Sequence, residues 1–159
     1  KIKIIEVLDL PITWQIPLII TLTIIFKSKV VFSSYTIYIA IGLFIFPVFY
    51  DGGSLGYVLT PNFGYLLGIY PLIKVIDNLY NGKEKVTFYK FIKSCFFGII
   101  IMHCVGIGYN CIQLLYFKRT NLLLYNIANY SLGKIHLHFL MSTPIAIILK
   151  SLEKLRYDE

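Results

Sequence analysis

An all-α, polytopic membrane bundle is the fold class this sequence predicts, and three observations predict it. The 159-residue chain is 57% hydrophobic and only 14% charged, with a mean hydropathy of +0.73; a soluble core of that size cannot hide so many apolar side chains. The apolar residues gather in five runs, at 12–26, 30–49, 63–76, 91–117 and 135–149, against the ~20 residues that carry a helix across a bilayer. The basic residues behind the net charge of +7 sit between those runs, where the positive-inside rule accounts for them without nucleic acid. Residues 1–159 read as one integral membrane domain of about five spans.

Residues 1–10, KIKIIEVLDL, carry no initiating Met and no signal-peptide cleavage pattern. The first run, 12–26, is short for a span and holds Thr13, Gln15 and Pro17 near its start; Lys27 and Lys29 close it. The second, 30–49, has spanning length, and the hydroxyls of Ser33, Ser34 and Thr36 can bond the helix backbone. The third, 63–76, carries Gly64 and Gly68 at a spacing that lets helices approach closely in lipid, and Lys74 snorkels at its end.

A polar connection at 77–90 follows, with Asn81-Gly82 as a turn signal. The fourth run, 91–117, is long enough to cross while tilted, and Gly98, Gly106 and Gly108 mark close contacts. Its cysteines, Cys95, Cys104 and Cys111, lack CxxC spacing and read as buried small hydrophobes. Residues 118–134 mix Lys118, Arg119 and asparagines with leucines and tyrosines, as an amphipathic surface segment does. The last run, 135–149, holds His136, His138 and Pro144 and leads into a basic tail.

Charge placement gives the orientation. If successive runs cross the membrane, Lys27, Lys29, Lys74, Lys83, Lys85, Lys90, Lys93, Lys150, Lys154 and Arg156 share one side. Lys118, Arg119 and Lys134 lie on the other, joined by Lys1 and Lys3 if the chain starts there. Ten against five places the first group in the cytoplasm. The loop between the second and third runs then faces outward.

That loop is the stretch around which the rest is organised. Residues 46–70 read FPVFYDGGSLGYVLTPNFGYLLGIY. Gly52, Gly53 and Gly56 permit a left-handed backbone or a close approach, and Phe49, Tyr50, Tyr57, Phe63 and Tyr65 supply rings and hydroxyls. An ordinary glycine-rich loop with an interfacial aromatic belt has the same composition. The order of the pieces is more specific. Pro47-Val48-Phe49, then Asp51-Gly52-Gly53-Ser54-Leu55-Gly56, then Pro61-Asn62-Phe63-Gly64-Tyr65-Leu66-Leu67-Gly68 resembles the signature of the bacterial biotin transporter family BioY. Upstream, Pro11-Ile12-Thr13-Trp14-Gln15 resembles that family's Pro-Val-Thr-x-Gln element.

The resemblance implies a substrate-binding component of an energy-coupling factor transporter, in a bacterial inner membrane. Its partners would be biotin, the bilayer, a transmembrane coupling subunit and ATPase subunits. It implies six helices, so a five-run chain is expected either to be a fragment or to have lost its first helix. The Ala-x-x-x-Ala docking residues of that first helix have no counterpart here, the alanines being Ala40, Ala128 and Ala146. A diverged relative that only packs or assembles in the membrane is the alternative.

Biotin has a ureido group with two donors and a carbonyl, an apolar thioether half and a carboxylate tail, so its site should be mostly apolar with a few placed polar groups. The expected contacts are Gln15 and Asn62 for the ureido group, Asp51 as an acceptor, Thr13 and Tyr65 for further hydrogen bonds, and Phe49 or Tyr57 over the ring. The amides of Gly52 and Gly53 can meet an anion. The family's Pro-x-Asp-x-x-Lys arrangement in the last helix is missing; His136 is the stand-in by position for its Asp, and Lys134 for its Lys. Taken singly, Gln15 and Asp51 fit a solvated interfacial role equally well.

Other chemistries find little footing. His103-Cys104, His136 and His138 have no further partner at metal-ligand spacing. The four aspartates form no dyad, so an enzyme is not expected. No Gly-x-x-x-x-Gly-Lys loop exists, so energy must come from partners, and no cofactor is expected.

Overall fold

The computed structural model describes the backbone of residues 14–26, 28–49, 52–80 and 87–157. Among these residues the chain is helical and no strand forms. The helices are α1 (Gln15–Ile25), α2 (Ser28–Phe44), α3 (Pro61–Tyr80), α4 (Phe88–Tyr116), α5 (Leu123–Ile127) and α6 (Gly133–Tyr157). Short 3-10 turns occupy Leu55–Leu59 and Thr120–Leu122, and a π turn at Ala128–Leu132 joins α5 to α6. Thr13, Asp51 and the Asn81-Gly82 turn lie outside the described residues.

Several boundaries differ from the apolar runs. The run at 12–26 is helical for 11 residues, about 16 Å at 1.5 Å per residue, so α1 alone is shorter than the ~30 Å hydrocarbon core. The run at 30–49 stops being helical at Phe44, because Pro47 cannot donate and disfavours helical backbone before it. Hydropathy alone extended that run, since residues 45–49 are as apolar as the helix they follow. In the other direction, α3 begins at Pro61 and continues through Lys74 and Asp77 to Tyr80. Among the described residues, the 29-residue α4 is the helix long and apolar enough to cross a membrane.

The spine of the bundle is the α3/α4 pair. Leu72, Ile73 and Ile76 of α3 and Phe91, Ile99 and Met102 of α4 are almost wholly buried. Glycine makes the approach possible. A Cβ on Gly68 would stand 2.5 Å from the Met102 carbonyl oxygen, and one on Gly64 2.5 Å from Cβ of Tyr109. Gly106 returns the fit, its bare α-carbon lying under the Tyr65 ring. The expectation for Gly108 is corrected: it faces open space, with nothing within 4 Å of a Cβ built there. So is that for Cys104, which is exposed, whereas Cys95 is buried.

α2 leans on this spine through a ladder of rings. The Tyr35 hydroxyl donates to the Leu66 carbonyl at 2.9 Å, and the Tyr35 and Tyr70 rings meet edge to face at 5.2 Å. Proline inside a helix frees a carbonyl one turn back, and at Pro144 that carbonyl is Leu140, which accepts from the Thr143 hydroxyl at 2.8 Å. The outside of the bundle stays apolar: Phe44, Ile112 and Leu124 are 70%, 71% and 81% exposed. Such a surface belongs in lipid rather than in water.

Candidate functional site

The glycine-rich loop folds back on α2 as a hook. Phe49 and Gly52 exchange backbone hydrogen bonds at 2.9 and 3.0 Å, and Ser54 donates to the Gly42 carbonyl at 2.9 Å. Gly52 takes φ +116°, a conformation that other residues rarely adopt. Gly53 has no room for a side chain, since a Cβ would come within 2.6 Å of both the Gly42 carbonyl and Cα of Pro47. The hook drives the Phe49 ring onto the α-carbon of Gly42. Tyr57 packs behind it, with ring centroids 4.6 Å apart.

Phe49 is thereby part of the lining of a cleft between α1 and α2. The cleft measures about 710 Å³, within the range of small-molecule pockets. Leu18, Ile19, Leu22, Phe26, Val30, Val31 and Val48 give it an apolar wall, and Gln15, Ser34, Tyr35 and Tyr38 supply its polar atoms. The Tyr38 hydroxyl faces the Val48 carbonyl at 3.5 Å. Gln15 and Phe49, from separate sequence elements, thus share one cavity. Reading the sequence missed Ser34, Tyr35 and Tyr38, although their spacing in α2, with Val31, puts them on one helical face.

The other expected residues lie elsewhere. Asn62 is half-buried in the first turn of α3. Tyr65, one turn on, belongs to a buried polar chain between α3, α4 and α6. Its hydroxyl is 2.7 Å from Ser131 Oγ. Ser131 Oγ lies 3.2 Å from His103 Nδ1, and His103 Nε2 lies 3.2 Å from His138 Nδ1. Asn126 donates to Asn110 Oδ1 at 3.3 Å.

Tyr, Ser, Asn and neutral His both donate and accept, so this chain satisfies itself without a charge. His136 is not part of it. It is exposed, with Nδ1 3.3 Å from the Leu132 carbonyl of its own helix. Among the described residues no three His, Cys, Asp or Glu side chains gather as a metal site.

An all-helical bundle with an apolar exterior, polar groups satisfied inside and a ligand-sized cleft is an integral membrane protein. The chain belongs to the BioY family, which it matches over residues 1–154. That is a family of transporters and not of enzymes. A relative from Lysinibacillus sphaericus named "Probable biotin transporter BioY" is 36% identical over 99 residues, 62% of this chain and 50% of that protein. The chain therefore spans about half the length of the relative it matches. No solved structure matches it.

Proposed function

We propose that the protein takes part in biotin uptake across the bacterial inner membrane, as a multi-pass substrate-binding component of an energy-coupling factor transporter. A transmembrane coupling subunit and ATPase subunits would then supply the energy. The observation that carries this reading is the meeting of Gln15 and Phe49 in one apolar cleft, since each comes from a different BioY-like element. The cleft suits the ligand's chemistry. Apolar and aromatic walls accept the thioether ring and the alkyl part of the tail, while Gln15 offers the polar contact that a ureido group needs. The excess of basic residues on the opposite face supports an outward opening for the loop.

The test is calorimetric titration of the detergent-solubilised protein with biotin, beside Gln15→Ala. Saturable binding weakened about tenfold in the variant, the equivalent of ~1.4 kcal/mol, is the expected result. Well-folded protein that takes up no biotin would turn the reading toward a packing or assembly role.

A further inference from the structure

The Tyr38 hydroxyl and the Val48 carbonyl, both on the lining of the cleft, face each other at 3.5 Å. That is well beyond the roughly 2.5–3.0 Å usual for O–H···O. The two groups are nevertheless fixed in direction. The peptide between Val48 and Phe49 gives its N–H to the Gly52 carbonyl at 2.9 Å, and the Val48 N–H goes to the Phe46 carbonyl at 2.9 Å. Since the N–H and C=O of a trans peptide point opposite ways, the first of these bonds sets where the Val48 carbonyl is aimed. The Tyr38 ring is confined as well. It stacks on Tyr35 at 5.8 Å and meets the Phe49 ring edge to face at 5.5 Å.

A donor and an acceptor thus stand side by side, too far apart to satisfy each other well. The other phenol of the cleft is differently placed: Tyr35 is buried and donates to the Leu66 carbonyl at 2.9 Å, a full bond made across to α3. Tyr38 is half-buried and only loosely bonded. A ligand with a carbonyl oxygen beside an N–H complements this pair, taking the phenol proton on its oxygen and giving its own N–H to the Val48 carbonyl. One long bond is exchanged for two.

We propose that the Tyr38 hydroxyl and the Val48 carbonyl together read the N–C=O edge of the ligand, the hydroxyl donating to its carbonyl oxygen and the Val48 carbonyl accepting the neighbouring N–H. This rests on the biotin-binding reading and deepens it: the ureido group supplies that edge, and Tyr38 is the side chain that selects it. The apolar wall accepts many rings of suitable size, whereas a site built to hydrogen-bond a group rejects analogues that lack it.

The experiment compares two probes, biotin and thiobiotin, whose ureido oxygen is replaced by sulfur, a weaker acceptor, by calorimetry on the whole solubilised chain. Wild-type protein is expected to favour biotin by tenfold or more. Tyr38→Phe keeps the ring and its packing but removes the donor, so biotin should bind about tenfold more weakly and the preference should shrink to a few-fold or less. Infrared spectra of biotin isotope-labelled at its ureido carbon give a second readout. The carbonyl stretch should fall in frequency on binding to wild type, and should fall less in the variant.

A purely structural role for Tyr38 would lower both affinities together, leaving their ratio and the carbonyl frequency as in wild type; that result overturns the proposal while leaving biotin binding intact. Undiminished biotin affinity in Tyr38→Phe also overturns it. Absence of biotin binding by the wild type would instead remove the reading beneath it, and this proposal with it.

Discussion

The Met102 carbonyl of α4 points at the bare α-carbon of Gly68 in α3, so that a Cβ there would lie 2.5 Å from its oxygen. Backbone meets backbone at this point, and neither partner has a rotatable side chain to move aside. Gly68→Val should therefore lower stability by about 1–3 kcal/mol, as overpacking does. Gly108→Ala, at an exposed α4 position with open space, should raise it by about 0.4–1 kcal/mol through the greater helix propensity of alanine. Thermal unfolding in detergent separates the two, and equal effects at both glycines would contradict the close crossing.

A second expectation concerns the proline in α6. The Leu140 carbonyl loses its usual N–H to Pro144 and is served by the Thr143 hydroxyl instead. Thr143→Val leaves that carbonyl without its side-chain donor and should cost about 1–3 kcal/mol. Thr21→Val is the matched control, because the Pro17 carbonyl that Thr21 bonds keeps its regular helical partner. Its cost should stay below about 1 kcal/mol in the same unfolding measurement.

The hook depends on Gly42 being bare. Gly42→Val would occupy the place of the Phe49 ring, pushing the ring off α2 and away from Tyr57. Because Phe49 lines the cleft, the proposed biotin site should lose affinity by more than tenfold in the variant. A calorimetric titration that left the affinity intact would show that the position of Phe49 is immaterial to binding.

The histidine pair gives a fourth. His138→Phe removes the partner of a buried His103 nitrogen and should lower stability by about 1–3 kcal/mol. His138→Gln can still accept or donate at that distance and should retain most of the stability. If the phenylalanine variant is as stable as wild type, the imidazole contact contributes nothing measurable to holding α6 against α4.

Much of this arrangement is legible along the chain, and the rest is hidden for a definite reason. The length of α4 follows from its apolar run, a close helix approach from Gly64 and Gly68, and the positive φ of Gly52 from its being a glycine. The end of α2 does not follow, because in lipid an apolar loop residue such as Ile45 looks like an apolar helix residue. The pairing of His103 with His138, and of Tyr65 with Ser131, is equally silent. A helix that is apolar all round gives no stripe to fix its rotation, so which polar residues turn inward is decided by packing. His136, the stand-in by position for the family's Asp, is exposed, whereas His138 two residues on is buried.

Between α4 and α6 the segment 120–132 is largely exposed, and its buried side chains are Asn126 and Ser131, both polar. Its fastening is hydrogen-bonded rather than greasy, and the strength of such a fastening is set by the medium. Surrounded by hydrocarbon, the bonds of Asn126 to Asn110 and of Ser131 to Tyr65 and His103 have no competitor and gain from a low dielectric. Where water penetrates, each bond has a rival. The fastening of this segment is therefore expected to weaken wherever water reaches those bonds.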